Sequence, residues 1–209
     1  MSHIFYWKHL PKYPGEENLK AKINTKDPRA NRSRLALMNA GIQAFLKNPN
    51  ASLTEVASFA GVGRATLYRH FATREQLIQE LAKESLSLID GAMKPIYEKG
   101  LEGRSAIEAM LHVSMPLADR FHFLLSLWNI ADEDPAVKEI YDRQLEEIND
   151  LVEQGKQAGD IKLEMATYWI VTLIDCLIYA GWWSVKNEQC DAKAAANLAI
   201  QSLFGGIGN

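Results

Sequence analysis

Residues 52–77, SLTEVASFAGVGRATLYRHFATREQL, carry side chains whose types and spacing suit contact with a nucleic acid. Arg64 can donate two hydrogen bonds to the edge of a guanine, and a methyl at Ala65 can touch a thymine. Such groups read bases where a helix presents its first turn to the major groove of double-stranded DNA. The chemistry indicated is therefore DNA recognition, which needs short helices held at a fixed angle.

Caps and glycines predict the elements that hold these side chains. Ser52 and Glu55 form a capping box that starts one helix, and Gly61 ends it in the left-handed conformation that costs a glycine nothing. Gly63 is the expected cap of a second helix over residues 64–71. Two short helices joined by a tight turn containing glycine are the layout of a helix-turn-helix.

The residues behind this motif predict how it is anchored. Leu67 and Phe71 are interpreted as core residues that hold the second helix on its neighbours. Thr73 and Gln76 form another capping box, so a third helix is expected to start near Arg74.

Over roughly residues 30–80, including a first helix from Arg32 to Lys47, the chain resembles the TetR family of bacterial repressors. The matching residues are Val56-Ala57, Ala60-Gly61-Val62, Thr66-Leu67-Tyr68, His70-Phe71 and Glu75-Gln76-Leu77. The resemblance implies an all-α fold, with an N-terminal three-helix helix-turn-helix DNA-binding domain and a C-terminal helical ligand-binding and dimerisation domain. One departure is Gly63, where the family usually has Ser, so a phosphate contact from that hydroxyl is missing.

Some of the expected DNA-binding residues have one expected role, and others have two alternative roles. By resemblance, Thr66, Tyr68, His70 and Arg74 touch the DNA backbone, although Tyr68 and His70 could instead pack on the first helix. Arg64 suits a base or a phosphate equally. The full set of expected contacts is Ser52, Thr54, Arg64, Ala65, Thr66, Tyr68, Arg69, His70 and Arg74.

Charge is divided unevenly along the chain. Residues 1–80 carry 12 Lys/Arg against 6 Asp/Glu, whereas residues 81–209 carry 11 against 20. The basic part contains the helix-turn-helix, as expected for a module that binds phosphates. Two cysteines indicate neither a disulfide framework nor a metal site, and no cofactor is predicted. The N-terminus lacks the apolar run of a signal peptide, which favours a cytoplasmic location.

Three regions are expected along the chain. Residues 1–28 form an N-terminal extension, residues 29–76 the DNA-binding domain, and residues 77–209 the effector-binding and dimerisation domain. The extension is either a packed or mobile tail or an arm that touches DNA. The basic residues of such an arm are Lys20, Lys22, Lys26 and Arg29.

Periodicity predicts helices from residue 74 to the C-terminus, with no convincing strand. The predicted helices are Arg74 to about Tyr97, one opened by a Ser105/Glu108 capping box, Arg120–Ala131, one started by Asp134-Pro135 and ended near Gly159, Leu163–Lys186, and Ala192–Phe204 capped by Asp191.

The last two of these helices are predicted to form a homodimer, because specific operators are read by paired domains. The small residues Ala192, Ala195, Ala196 and Ala199 give the final helix a close-packing face. The alternative is a core within one subunit. A membrane span over residues 166–183 is rejected, because Asp175 lies in the middle of that segment.

A ligand pocket is predicted in the C-terminal domain, where the resemblance implies a small-molecule site. On the penultimate helix the residues recur every three or four positions and so share one face. The predicted pocket residues are His112, Met115, Phe123, Trp128, Tyr168, Thr172, Asp175, Tyr179 and Trp182. Aromatic residues at this spacing also fit a plain core or a dimer contact. An apolar or aromatic ligand fits such a pocket best, with a donor or cationic group at Asp175.

The sequence therefore predicts a sequence-specific transcriptional regulator, a repressor released from its operator by a small apolar or aromatic ligand. One alternative is a DNA-binding protein without a small-molecule effector. An enzyme is not expected, because the sequence has no phosphate-binding glycine loop, no HExxH pair and no nucleophile elbow.

Overall fold

The computed structural model describes the backbone of residues 28–207 and the side chains of residues 37–206. The expected N-terminal extension and the side chain of Arg29 lie outside the described residues. Between residues 28 and 207 the structure has nine α-helices, one short 3₁₀ turn and no β-strand, which confirms the all-α prediction. The helices are α1 (Pro28–Lys47), α2 (Leu53–Ala60), α3 (Arg64–His70), α4 (Arg74–Glu98), α5 (Gly103–Ser114), α6 (Ala118–Ala131), α7 (Pro135–Gln157), α8 (Thr167–Lys186) and α9 (Ala192–Ile207).

The caps explain most of the helix starts. Asp134 accepts a hydrogen bond from the amide of Ala136 at 2.9 Å, so α7 begins as predicted. Thr73 accepts from the amide of Gln76 at 3.1 Å and starts α4. The predicted return bond of that capping box differs, because the Gln76 side chain accepts from Ala72 rather than from Thr73.

The Ser105/Glu108 capping box was a wrong prediction. Helix α5 begins at Gly103, so Ser105 already lies in its first turn and its hydroxyl donates to the carbonyl of Glu102 at 2.8 Å. Glu108 pairs with Arg104 at 2.8 Å instead of returning to a cap. The earlier start is possible because Gly103 has φ +51°, a left-handed conformation that a residue with a side chain rarely adopts.

Four other helix boundaries also differ from the prediction. Helix α1 starts at Pro28 rather than Arg32, and α6 starts at Ala118 after the 3₁₀ turn Met115–Leu117. Helix α8 starts at Thr167 rather than Leu163, because the preceding residues form the turn that reverses the chain after α7. Helix α9 continues to Ile207, three residues past the predicted end.

Helix α4 joins the two halves of the molecule. Leu77, Ile78 and Leu81 on its first turns are fully buried beneath the helix-turn-helix, while Ile89 and Met93 are buried further along among α5, α6 and α7. One continuous apolar core therefore extends from the N-terminal helices into the C-terminal domain. This core fixes the direction in which the first three helices face.

Helices α8 and α9 pack closely on one another. Gly181 is buried there, where a Cβ would collide with the sulfur of Met115 and approach the Cβ of Ala195 to 3.5 Å. Ala195, Ala196 and Ala199 are buried in the same subunit, so the alanine face lines an internal contact rather than the predicted dimer contact. Small residues at this crossing let the two helices approach within one chain.

Within the described part of the chain, only α8 is long and apolar enough to cross a membrane. One such helix does not indicate a membrane protein, because a core or interface helix satisfies the same test. Its buried face, which includes Ile170, Ile174 and Ile178, packs on the rest of the subunit.

Candidate nucleic-acid interface and candidate ligand site

The turn between α2 and α3 has the predicted geometry. Ser52 accepts a hydrogen bond from the amide of Glu55 at 3.2 Å, and the Glu55 carboxylate accepts from the amide of Ser52 at 2.7 Å. The Glu55 carboxylate also accepts from the Ser52 hydroxyl at 2.7 Å, and the two hydrogen bonds that it accepts from Ser52 lower the pKa of Glu55. Gly61 has φ +65°, which is the predicted left-handed end of α2. Gly63 caps α3 with an extended backbone and no side-chain hydrogen bond.

Helix α3 has one buried side and one exposed side. Leu67 is 0% exposed and Phe71 is 1% exposed, and both hold the helix on its neighbours, as predicted. The residues that face outward are Arg64, Ala65, Tyr68 and Arg69. Tyr68 is 52% exposed, so its ring is not buried against α1. The exposed side therefore offers two guanidiniums, a phenol and a methyl group to a partner.

The other predicted contacts surround this exposed side with less accessible groups. Thr54, Thr66 and His70 are half-buried. The ring of His70 lies 6.3 Å from the ring of Phe71, at the end of α3. Ser52 is exposed but its hydroxyl already takes part in the capping box.

Arg74 is occupied by contacts within the protein. Its Nε donates to the carbonyl of Ala51 at 3.1 Å, and a second guanidinium nitrogen donates to the carbonyl of Pro49. The guanidinium also lies over the ring of Phe45 at 5.3 Å. These contacts clamp the loop between α1 and α2, so they favour a structural role for Arg74 over the predicted phosphate contact.

The nine predicted ligand residues lie in different surroundings. His112 is exposed on α5, Met115 packs against Gly181, and Phe123 is buried 6.2 Å from Phe45. Trp128 is half-buried beside Tyr141. On α8 the side chains of Tyr168, Thr172, Asp175 and Tyr179 are exposed, while Trp182 is buried. The structure therefore does not gather all nine around one cavity.

Asp119 connects three helices, and sequence reasoning did not single it out. One carboxylate oxygen accepts from the Trp182 indole at 2.6 Å, and the other accepts from Gln43 of α1 at 2.8 Å. The next residue, Arg120, donates to Asn39 of α1 at 2.7 Å. These bonds link α8 and α6 to the DNA-binding domain.

His122 lies beside this junction in an aromatic cluster. Its ring centroid is 3.8 Å from that of Trp182 and 5.2 Å from that of Tyr179. Burial lowers the pKa of His122, so the neutral form is favoured. Among the described residues, its Nδ1 is buried and has no hydrogen-bond partner.

Asp175 combines an accessible position with strong desolvation. Its side chain keeps solvent-accessible surface in the single chain, yet the protein around the carboxyl raises its pKa to about 6. The raised pKa reflects crowding by apolar neighbours rather than complete cover. Across α6 and α7, the rings of Trp128 and Tyr141 lie 4.2 Å apart.

Two open, shallow depressions lie on the described surface. One open depression of about 410 Å³ is lined by Tyr179, Ala180, Trp183 and Ser184 on α8. Another of about 500 Å³ lies along α7, between Pro135 and Glu146. Over residues 37–206, whose side chains are described, no three His, Cys, Asp or Glu side chains are grouped to hold a metal ion.

An aromatic surface covers the outer side of the last two helices. Tyr168 is 73% exposed, and Trp169, Tyr179 and Trp183 are also exposed along α8, with Leu198 beside them on α9. We call these five side chains the exposed aromatic face. Large apolar side chains exposed along one side of a helix are typical of an interaction site.

Comparison with known proteins agrees with this geometry. Residues 47–81 match the family model for bacterial regulatory proteins of the tetR family. The repressor LfrR of Mycolicibacterium smegmatis is 27% identical over 156 residues, which cover 75% of this chain and 80% of LfrR. The fatty acid metabolism regulator protein of Bacillus subtilis is 22% identical over 84% of this chain and 95% of its own.

Solved structures show the same fold. LfrR from Mycobacterium smegmatis in complex with proflavine superposes with a TM-score of 0.68 over 85% of this chain and 97% of that chain, at 21% identity. The ketosteroid regulator KstR2 of Mycobacterium tuberculosis gives a TM-score of 0.70 over 90% and 97%, at 16% identity. Residues 47–81 therefore match the DNA-binding module of the tetR family of bacterial regulatory proteins, and the chain as a whole shares the fold of these solved regulators.

Proposed function

We propose that this protein is a dimeric repressor that binds a double-stranded DNA operator and leaves it when a small apolar or aromatic molecule binds. The observation that carries the proposal is the exposed side of α3. Arg64, Ala65, Tyr68 and Arg69 face outward together while Leu67 anchors the helix. A short helix with a fixed back and basic exposed groups suits the major groove.

The relatives support both parts of this proposal. LfrR is named a transcriptional repressor, and one solved structure of it holds proflavine. Another similar structure, a FadR regulator from Bacillus subtilis, holds stearoyl-CoA. The relatives are regulators rather than enzymes, so we assign no catalytic role. Because an operator lies on bacterial chromosomal DNA, we infer a cytoplasmic location.

The exposed aromatic face supports dimerisation as part of this proposal. A single α3 contacts only a few base pairs, so specific binding needs two copies on two half-sites. Trp169, Tyr179 and Trp183 are large, apolar and exposed along one side of α8. Pairing this face with a second copy would remove it from water.

The domain division is also a proposal. We place the DNA-binding domain at residues 29–76 and the effector-binding and dimerisation domain at residues 77–209, after an extension over residues 1–28. Helix α4 spans the division, and its buried residues belong to one continuous core. A ligand that shifts the C-terminal helices can therefore change the position of the helix-turn-helix through α4 and through the hydrogen bonds of Asp119.

Selection of bound sequences from a random pool, followed by gel shifts, tests the DNA-binding part. We expect Arg64→Ala to weaken binding to the selected operator by about 1–3 kcal/mol for a lost base contact. Thermal stability should be unchanged, because Arg64 is exposed. Lys94→Ala, which removes an exposed charge at the far end of α4, is the matched control and should bind normally. Equal affinity in all three proteins would remove Arg64 from the interface.

A DNA-binding protein without a small-molecule effector is the second candidate. It is favoured by the dispersion of the predicted ligand residues and by the shallow depressions. A thermal-shift screen that includes proflavine and stearoyl-CoA separates the two. A compound that raises the melting temperature and releases the operator supports the first candidate, and a screen without any such compound supports the second.

A further inference from the structure

Polar pairs join α4 to α7 at successive points along both helices. Each pair takes one residue from each helix, and the pairs are Lys83 with Asp134 at 2.6 Å, Asp90 with Arg143 at 2.6 Å, and Tyr97 with Glu147 at 3.1 Å. The partners advance along both helices together, so α4 and α7 run parallel. Ion pairs at a surface each contribute little to stability. A buried contact is therefore needed to fix one helix on the other.

Gln144 supplies that buried contact. It is 9% exposed, and its amide nitrogen donates to the backbone carbonyl of Leu86 at 3.0 Å and to Asp90 at 2.6 Å. The other oxygen of Asp90 accepts from Arg143, which also donates to Glu147 at 2.6 Å. These side chains form one connected set of hydrogen bonds. We call Gln144, Asp90, Arg143 and Glu147 the α4–α7 network.

The α4–α7 network holds the helix that carries the helix-turn-helix. Leu77 and Leu81 of α4 are fully buried beneath the helix-turn-helix, and the network contacts α4 further along, at Leu86 and Asp90. Helix α7 also packs on α5 and α8, and α8 carries most of the exposed aromatic face. The network therefore lies between the DNA-binding helices and the surface proposed for pairing.

Hydrogen bonds restrict α4 in a way that apolar packing does not. Apolar contacts are non-directional, whereas an N–H donor needs its acceptor at about 2.9 Å and nearly in line. Sliding or rotation of α4 on α7 would break the bonds of Gln144 to Leu86 and to Asp90 together. Because the Gln144 amide is buried, the loss of these bonds is costly. The network therefore favours one orientation of α4, and with it one direction of α3.

We propose that the α4–α7 network, acting within each subunit of a dimer, makes the protein selective for one spacing of operator half-sites, with Gln144 as the positioning residue. Gln144 acts through α4 rather than on DNA. The inference rests on the proposed dimeric, operator-binding function. A rigid connection fits both α3 helices to one spacing and is strained at every other. A loose connection binds the best spacing less tightly but tolerates its neighbours.

A series of operators tests the proposal. The half-sites are those obtained by selection, and base pairs are added or removed one at a time between them. Gel shifts with the full chain give a dissociation constant for each spacing and for a duplex with a single half-site. We expect the wild type to lose about tenfold in affinity at the spacings adjacent to the best one, because each added base pair rotates one half-site about the DNA axis.

Gln144→Met removes the buried hydrogen bonds and keeps a side chain of similar size. Its affinity for the best spacing should fall about fivefold, and its further loss at the adjacent spacings should shrink to about twofold. Its affinity for the single half-site should equal that of the wild type, because α3 is unchanged. A spacing profile as steep as that of the wild type would overturn the proposal.

Gln154→Met is the matched control on the same helix. Gln154 accepts from the amide of Gly103 at 3.0 Å, so it joins α7 to the start of α5 and not to α4. This variant should also lower the melting temperature, because it leaves the Gly103 amide without its acceptor. It should keep the wild-type spacing profile. Equal flattening of the profile in both glutamine variants would show that general loosening sets the spacing, and the proposal would fail.

Asp90→Ala keeps the test decisive if Gln144→Met does not fold. Asp90 is half-buried on α4, and its removal takes one acceptor from both Gln144 and Arg143. Its profile should flatten in the same direction, and an unchanged profile would contradict the proposal. If the wild type binds a single half-site as tightly as any pair, the proposed dimeric function fails. A steep wild-type profile that every variant retains leaves that function standing and removes only this inference.

Discussion

Arg64 and Arg74 each lie at the first position of a helix, but their side chains have different surroundings. Arg64 is exposed on the side of α3 that is free to meet a groove. Arg74 donates to the carbonyls of Ala51 and Pro49 and covers the ring of Phe45. Because these contacts use its donors inside the protein, a residue type and a helix position alone do not identify a phosphate contact.

Arg74→Ala should therefore act mainly on stability. Loss of charged hydrogen bonds to two carbonyls should lower the free energy of unfolding by about 1–3 kcal/mol in urea denaturation. The salt dependence of operator binding should stay the same, because no phosphate contact is lost. Arg69→Ala, at an exposed position on α3, should leave stability unchanged. A shallower salt slope without loss of stability in Arg74→Ala would restore the phosphate role.

Asp175 should make stability depend on pH in an unusual direction. Its pKa is raised from 3.8 to about 6, so between these values the folded chain holds a proton that the unfolded chain releases. This contribution therefore favours folding at low pH and is lost as the pH rises through about 6. Most carboxylates that are paired in the folded state act the other way.

Asp175→Asn tests this dependence without any ligand. The variant cannot ionise at residue 175, so its stability relative to wild type should increase between pH 4 and pH 7. Chemical denaturation at fixed protein concentration measures the difference at each pH. A difference that stays constant across this window would show that the carboxyl is not desolvated in the folded protein.

At the scale of elements, side chains of α1, α6 and α8 meet at one junction. This junction connects the N-terminal helices to the C-terminal helices through hydrogen bonds, in addition to the apolar core. Asp119 accepts from Trp182 on one side and from Gln43 on the other. A carboxylate shared in this way fixes the spacing of both partners, because moving one of them changes the bond to the other. Arg120 and Asn39 form a second, separate bond beside it.

A double-mutant cycle should detect this sharing. Gln43→Ala and Trp182→Phe each remove one donor to Asp119, and together they should depart from additivity by about 0.5 kcal/mol or more. Asn39→Ala with Trp182→Phe is the control, because Asn39 bonds Arg120 instead of Asp119. Unfolding in urea gives the four free energies of each cycle. Strict additivity of the first pair would mean that Asp119 does not couple α1 to α8.

At the scale of the whole molecule, two exposed surfaces of the described residues differ in chemical character. The exposed side of α3 carries basic and hydroxyl groups, and the exposed aromatic face of α8 and α9 carries apolar groups. A continuous core through α4 holds these surfaces in one rigid chain. If two copies pair through the aromatic face, the distance between the two α3 helices is set by the same contacts that build the dimer.

Trp183→Asp should separate the copies. A charge in the middle of an apolar contact is costly, so sedimentation velocity should show a monomer for this variant, whereas we expect a dimer for the wild type. Affinity for a two-half-site operator should fall with it. Phe59→Asp replaces an aromatic residue of similar exposure on α2 and should leave the sedimentation coefficient unchanged. A dimer that survives Trp183→Asp would place the interface elsewhere.

The sequence by itself determined the helix-turn-helix, because its signals are local. The capping box of Ser52 and Glu55 spans three residues, and the left-handed end at Gly61 depends on that residue's own backbone. The anchors Leu67 and Phe71 follow from helical spacing within a single turn. Features that depend on neighbours a few positions away can be predicted without knowing how distant helices pack.

Tertiary structure decided the features that depend on distant partners. Gln43 and Trp182 meet Asp119 from 76 and 63 residues away, and Arg74 meets Pro49 across 25. The alanines of α9 looked equally suited to a dimer or to an internal contact, and only the position of Gly181 assigned them to the interior. Periodicity shows that a helix has a face, but the packing of the other helices decides what that face contacts.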